Sequence, residues 1–303
     1  MRRLLCLACA LLLALSGCAA PPRAEDGALH VLATTYPVYL FTTAVTAGVE
    51  GVEVDLLVNQ PTSCLHDYTL TVTDMKAVQR ADVIVMNGAG LEDFLDDALS
   101  GAQAAVIDCS AGLELLPAQG HEGHHHDTVY DPHFWMDPGY ASDMVEHIVQ
   151  GLSAADAAGA DLFRLNGDLA RQTLDGAAAD WTGRLEPWQG RSIITFHDGF
   201  QYFASLFQLD IYKAIEEEEG ATVSAGELKE IISFLRLNEQ NGLDPIPVFT
   251  EVNGSAASAG VIARETGCPL GQLTMVMSGE GTGIQPYLDA MEQNIQAITE
   301  AFS

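Results

Sequence analysis

Short apolar runs alternate with longer amphipathic stretches through most of this chain. ALHVLATT, VEVDLLV, ADVIVMNG and AAVIDCS in the first half each run into a turn or loop. RSIITFHD, DPIPVFTE and the stretch from Pro269 to Leu273 do the same in the second. This alternation predicts an α/β fold, with parallel strands covered by helices in two small doubly wound lobes. Between them, Leu162, Leu165, Leu169, Ala177, Trp181 and Leu185 recur mostly three or four positions apart, the spacing of one helix face. Asp161 with Arg164, Asp168 with Arg171 and Asp180 with Arg184 are placed to pair on the other face. One helix of about 28 residues would be roughly 40 Å long, enough to bridge both lobes. Gly167, Gly176 and Gly183 oppose it, each at about 1 kcal/mol relative to Ala. The expected divisions are a first lobe at 28–157, a bridging helix at 158–186 and a second lobe at 187–303, with no sequence repeat aligning the lobes.

The first residues follow another pattern. Two arginines precede an apolar run from Leu4 to Leu15 and then Leu15-Ser16-Gly17-Cys18. The run is too short for a stable membrane span and reads as a secretory signal over 1–18. Small residues directly before a cysteine resemble a bacterial lipobox, in which Cys18 is lipidated and becomes the mature N-terminus. Residues 19–27, AAPPRAEDG, read as a tether. The chain is therefore expected in the bacterial cell envelope, extracytoplasmic and anchored to a membrane through lipid.

A net charge of -29, from 13 basic and 42 acidic residues, repels polyanions and excludes nucleic acid as an expected partner. The same field favours cations, although acidity also serves to keep an exported protein soluble. The acidic run 216–219 is read as a solvated loop or helix end.

Histidines supply the candidate chemistry. His121, His124, His125 and His126 crowd one loop within 118–130, a density suited to auxiliary capture of borderline metals. His66, His133 and His197 stand alone, each in a polar loop or at a strand end. Ligand sites of open α/β sheets collect beyond the carboxyl ends of the strands, so these three are expected to converge. His30, in a strand, and His147, on a helix, are read as structural.

At this point the motifs resemble a known family. HDYTLTVTDM, VIVMNGAGLEDFL, DPHFWMDP, ITFHDGFQYFASLFQL, PVFTEVNGSA and GIQPYLDAMEQNI are similar, in order and spacing, to those of the substrate-binding proteins of bacterial zinc and manganese ABC importers, the ZnuA-like or TroA-like lipoproteins. The resemblance covers essentially all of the chain beyond its leader. It implies two lobes bridged by one rigid helix, with His66, His133 and His197 binding metal in the interlobe cleft. It also implies a monomer that passes its ion to an ABC permease served by a cytoplasmic ATPase. Histidine at the third position points to Zn(II) as the transported ion rather than Mn(II), in line with the preference of imidazole nitrogen for zinc.

Two departures concern the fourth ligand. Met275 aligns where many relatives have aspartate, and Leu65 stands where some zinc binders have glutamate. Water, chloride or a displaced Glu251 would complete a three-histidine site; thioether ligation by Met275 would suit a softer ion such as Cu(I). Asp198 is read either as orienting a ligand or as capping a helix. Export leaves Cys64, Cys109 and Cys268, an odd number. Three states of Cys64 stay open: a disulfide with Cys109, which would pin the His66 loop, a buried thiol, or a ligand.

Besides the transport reading, a secreted zinc hydrolase and a surface adhesin are the alternatives. The chain has no HExxH pair on one helix and no GxSxG elbow, which weighs against the hydrolase.

Overall fold

A computed structural model of the chain describes residues 27–59, 65, 68–118, 129–215 and 223–303. Cys18 with the leader and tether to residue 26, Cys64, His66, His121, His124, His125, His126 and the acidic run 216–219 lie outside the described residues.

The first lobe is built from β1 (Leu29–Ala33), α1 (Tyr36–Val45), β2 (Val52–Leu56), α2 (Val72–Arg80), β3 (Val83–Met86), α3 (Asp96–Leu99), β4 (Ala105–Asp108) and α4 (Pro138–Ala155). Then α5 (Ala160–Leu185) leads to the second lobe: β5 (Ser192–Thr195), α6 (Gln201–Phe207), β6 (Asp210–Ala214), α7 (Ala225–Gln240), β7 (Val248–Glu251), α8 (Ala257–Thr266), β8 (Leu270–Leu273) and α9 (Gln285–Phe302). Each lobe has one four-stranded parallel sheet, in the orders β2-β1-β3-β4 and β6-β5-β7-β8. The lobes thus repeat one topology although their sequences do not align. Central strands are wholly buried because helices cover both of their faces, as in LHVLA of β1 and VFTE of β7, where His30, Thr250 and Glu251 are the polar residues among apolar ones. The edge strand β6 was not among the expected strands. Its sequence DIYKA carries charges at Asp210 and Lys213, and none of its residues is fully buried, as an edge permits.

The bridging helix forms, and Trp181 and Leu185 are buried as expected, but the first half of its buried stripe differs from the expected one. Leu162, Leu165 and Leu169 are 45%, 55% and 55% exposed. The buried face is instead Ala160, Phe163, Gly167, Ala170, Leu174, Trp181 and Leu185. Gly167 explains the shift, since a Cβ there would collide with Val149 Cγ2 on α4. The glycine that costs helix propensity is what lets α4 and α5 approach closely. Arg171 likewise leaves Asp168 and binds Glu146 of α4 at 2.6 Å.

One hydrophobic core runs from β1 and α1 through Trp135 and α5 into Phe200, Phe203, Phe249, Met275 and Tyr287 of the second lobe. A smaller core lies wholly inside the second lobe, around Ile194, Val248 and Ile262. The shared core welds the lobes together. Among the described residues no helix is long and apolar enough to cross a membrane.

Candidate metal centre

His133 stands in the loop before α4. A short 3-10 turn at Phe134–Met136 follows it, and Asp137 caps α4 through the Gly139 amide at 2.7 Å. Asp131 fixes the histidine twice through one carboxylate oxygen: Oδ1 accepts from the His133 backbone amide at 2.9 Å and from ring Nδ1 at 2.8 Å. Both residues are buried. With Nδ1–H committed to Asp131, the Nε2 lone pair is the one available to an ion.

From the other lobe, His197 follows β5 by two residues. The two imidazoles meet edge to face with centroids 5.4 Å apart. One donor atom each from His133, His197 and Asp198 lie within 4.8 Å of one another. Asp198 Oδ1 is 3.2 Å from His197 Nδ1, and the Gly199 amide donates to the same nitrogen at 2.9 Å. Asp198 does not cap α6, whose N-cap is Phe200.

Glu251 ends β7 and is buried. Its charge is felt at His133: burial pushes the imidazole pKa down, but the hydrogen bond to Asp131, its charge, and then those of Asp198 and Glu251 together set it above the ordinary value. A field that holds a proton on imidazole also attracts a metal cation. Met275, two residues beyond β8, is fully buried, and its backbone carbonyl accepts from Trp135 Nε1 at 2.8 Å. His197, Glu251 and Met275 therefore follow or end three neighbouring strands of the second sheet, at their carboxyl ends.

Several residues that hold the site were not singled out from sequence. Asp131 carried a legible signal, the Asp-X-His spacing. Tyr202 reaches from α6 across the lobes: its hydroxyl accepts from the Leu116 amide at 2.8 Å and donates to the Asp131 carbonyl at 3.0 Å. Tyr287 donates to the Trp135 carbonyl at 2.8 Å. Nothing local in the sequence announces these contacts, which arise from long-range packing.

Next to the His66 loop, Leu65 is buried, and a Thr71–Asp74 capping box starts α2. Tyr68 adds a bond to Asp74 at 3.1 Å, and burial together with that carboxylate pushes its hydroxyl up to about 12. The expected Cys64 to Cys109 bridge meets a correction at its second end. Cys109 is a free, fully buried thiol, whose pKa burial, then Glu92 and Asp108, raise well above the ordinary value. Cys268 is free and buried as well. His147 Nδ1 contacts the Cys109 carbonyl at 2.9 Å, and His30 packs between Arg80 and Glu53. These contacts tie both histidines into the first lobe.

Residues 31–301 match the family described as zinc-uptake complex component A, periplasmic. The chain belongs to this family. Among curated relatives, the zinc-binding lipoprotein AdcA of Streptococcus pneumoniae is 29% identical over 91% of this chain and 56% of its own length. The manganese-binding lipoprotein MntA of Halalkalibacterium halodurans is 25% identical over 78% of this chain and 77% of its own. The chain thus spans about half the length of the AdcA proteins it matches. Among solved structures, that of ZnuA superposes with a TM-score of 0.75 at 25% identity, covering 91% of this chain and 100% of that one. The Zn(II)-bound ZnuA-like domain of S. pneumoniae AdcA gives 0.75 at 26% identity, covering 91% and 99%.

Proposed function

We propose that this protein captures Zn(II) outside the cytoplasm and delivers it to an ABC-type importer. The observation that carries the reading is the meeting of His133 and His197 from opposite lobes, one of them buried and braced by a carboxylate. In this reading His66 is the third ligand, and water or Glu251 completes the shell. Cys18 carries the lipid anchor, and the histidines at 121 and 124–126 raise the local zinc concentration. The partner is a permease with its cytoplasmic ATPase, and the protein acts as a monomer. Asp198 and Glu251 also offer the hard oxygens that manganese prefers, so a manganese carrier of the same family is the second reading.

The test is a competition between Zn(II) and Mn(II) on the purified protein, read by thermal unfolding, with His66, His133 and His197 changed singly to Ala. Zinc is expected to outcompete manganese, and each substitution to weaken zinc binding about 100-fold or more. Manganese winning, or three silent histidine variants, would overturn the assignment. Steady ester or peptide hydrolysis lost in His197→Ala would establish the hydrolase instead.

A further inference from the structure

Gly199 is where two side chains of the site meet. A Cβ built there would collide with Met275 Sδ and lie 3.0 Å from both Cδ2 and Cγ of His133. The thioether and the His133 ring thus press on the same small face of one glycine. The ring edge involved matters. Cδ2 is bonded to Nε2, the nitrogen left for the ion once Asp131 holds Nδ1. Met275 is fully buried, and it is held by its own backbone through the Trp135 bond. Val276 beside it has φ of 61°, a left-handed conformation that costs a β-branched residue energy and persists only where packing dictates it. The sulfur is therefore set by the fold on the Gly199 side of the His133 ring rather than left there by a loose chain.

An uncharged, polarizable wall has a chemical consequence. Zinc is satisfied by four donors and favours nitrogen or sulfur, whereas manganese seeks six hard oxygens from carboxylates, carbonyls and water. A thioether on this side supplies neither the hard oxygen nor the negative charge that manganese favours. We propose that Met275 is a specificity-determining residue, which discriminates against hard cations such as Mn(II) by closing this side of the site with an uncharged thioether. Gly199 is the position that makes room for it. The inference rests on the metal-site reading above and adds the origin of its selectivity.

The experiment measures Zn(II) and Mn(II) dissociation constants by competition with a chelating dye on the wild type, Met275→Leu and Met275→Asp. Leucine keeps an uncharged wall, so the zinc-to-manganese ratio should stay within about threefold. Aspartate adds a hard oxygen, so manganese binding should strengthen at least tenfold and the ratio should narrow. Met275→Asn, a neutral oxygen donor, replaces the aspartate variant should that one fail to fold, with a narrowing of at least threefold expected. An unchanged ratio in the oxygen-donor variants would overturn the proposal. So would a tenfold loss of zinc affinity in Met275→Leu, which would make the sulfur a ligand rather than a wall. A wild type that binds no zinc, or normal zinc binding in His133→Ala and His197→Ala, would instead overturn the metal-site reading itself.

Discussion

His133 and His197 are brought to one cleft by two sheets of the same topology, yet their surroundings prepare them differently. His133 donates Nδ1–H to a buried carboxylate, so Nε2 already carries its lone pair outward. His197 accepts the Gly199 N–H at Nδ1, which in a neutral imidazole places the proton on Nε2. To bind an ion through Nε2, His197 must move that proton to Nδ1, release Gly199 and turn to Asp198 Oδ1, 3.2 Å away. In the proposed site one ligand would be preset, and the other would complete itself as the ion arrives. In the proposed metal site, a cleft that is rigid at one ligand and adjustable at the other would offer tight capture without making release impossible.

The largest expected effect falls on the preset side. Asp131→Ala leaves His133 without its orienting acceptor, and zinc affinity should drop up to about 100-fold by calorimetry. Asp198→Ala should cost less, about tenfold, because Asp198 is partly exposed and water can take its place as the acceptor for His197 Nδ1–H. Equal losses in the two variants would break the distinction between the ligands. Next comes Tyr202→Phe, which strands the Leu116 amide and the Asp131 carbonyl. Loss of these bonds should destabilise the protein by about 1 kcal/mol in urea unfolding. Zinc affinity should fall modestly, in the direction of Asp131→Ala, since the same bond steadies the Asp131 backbone.

How much of this was readable beforehand depended on the range of the interaction. Strand periodicity and the isolated histidines led to two lobes and to the positions of His133 and His197, because both signals are local. The first half of the bridging helix's stripe was misread because Leu162, Leu165 and Leu169 have the spacing of a buried face, whereas Trp181 and Leu185 are buried as expected. Gly167 faces α4 instead, and only the tertiary contact with Val149 reveals it. β6 went unseen because an edge strand need not be apolar. Asp131 was legible from its spacing to His133, whereas Tyr202 is 71 positions from Asp131. Cys109 looked like a partner for Cys64 from its place at a strand end, but the fold buries it as a thiol.

The smallest effect contrasts the site with the scaffold that ties the bridging helix to the second lobe. Glu292 of α9 binds Arg184 of α5 at 2.7 Å and accepts from Trp181 Nε1 at 2.9 Å. The Arg184 bond, only partly opposed by burial, holds this carboxyl down at about 2, below its ordinary 4.5. A depressed carboxylate stabilises the fold above its unfolded pKa, and that contribution fades as pH falls from about 4.5 through about 2. Both partners are about a third exposed, so screening limits the gain to under about 1 kcal/mol. Glu292→Gln should lower stability by that amount at pH 7 and flatten its decline between pH 4.5 and 2, as urea titrations at these pH values would show. Zinc affinity at pH 7 should be unchanged, because the pair steadies the helix and touches neither histidine. A change in affinity equal to that of Asp198→Ala would mean that the bridging helix sets the geometry of the adjustable ligand after all.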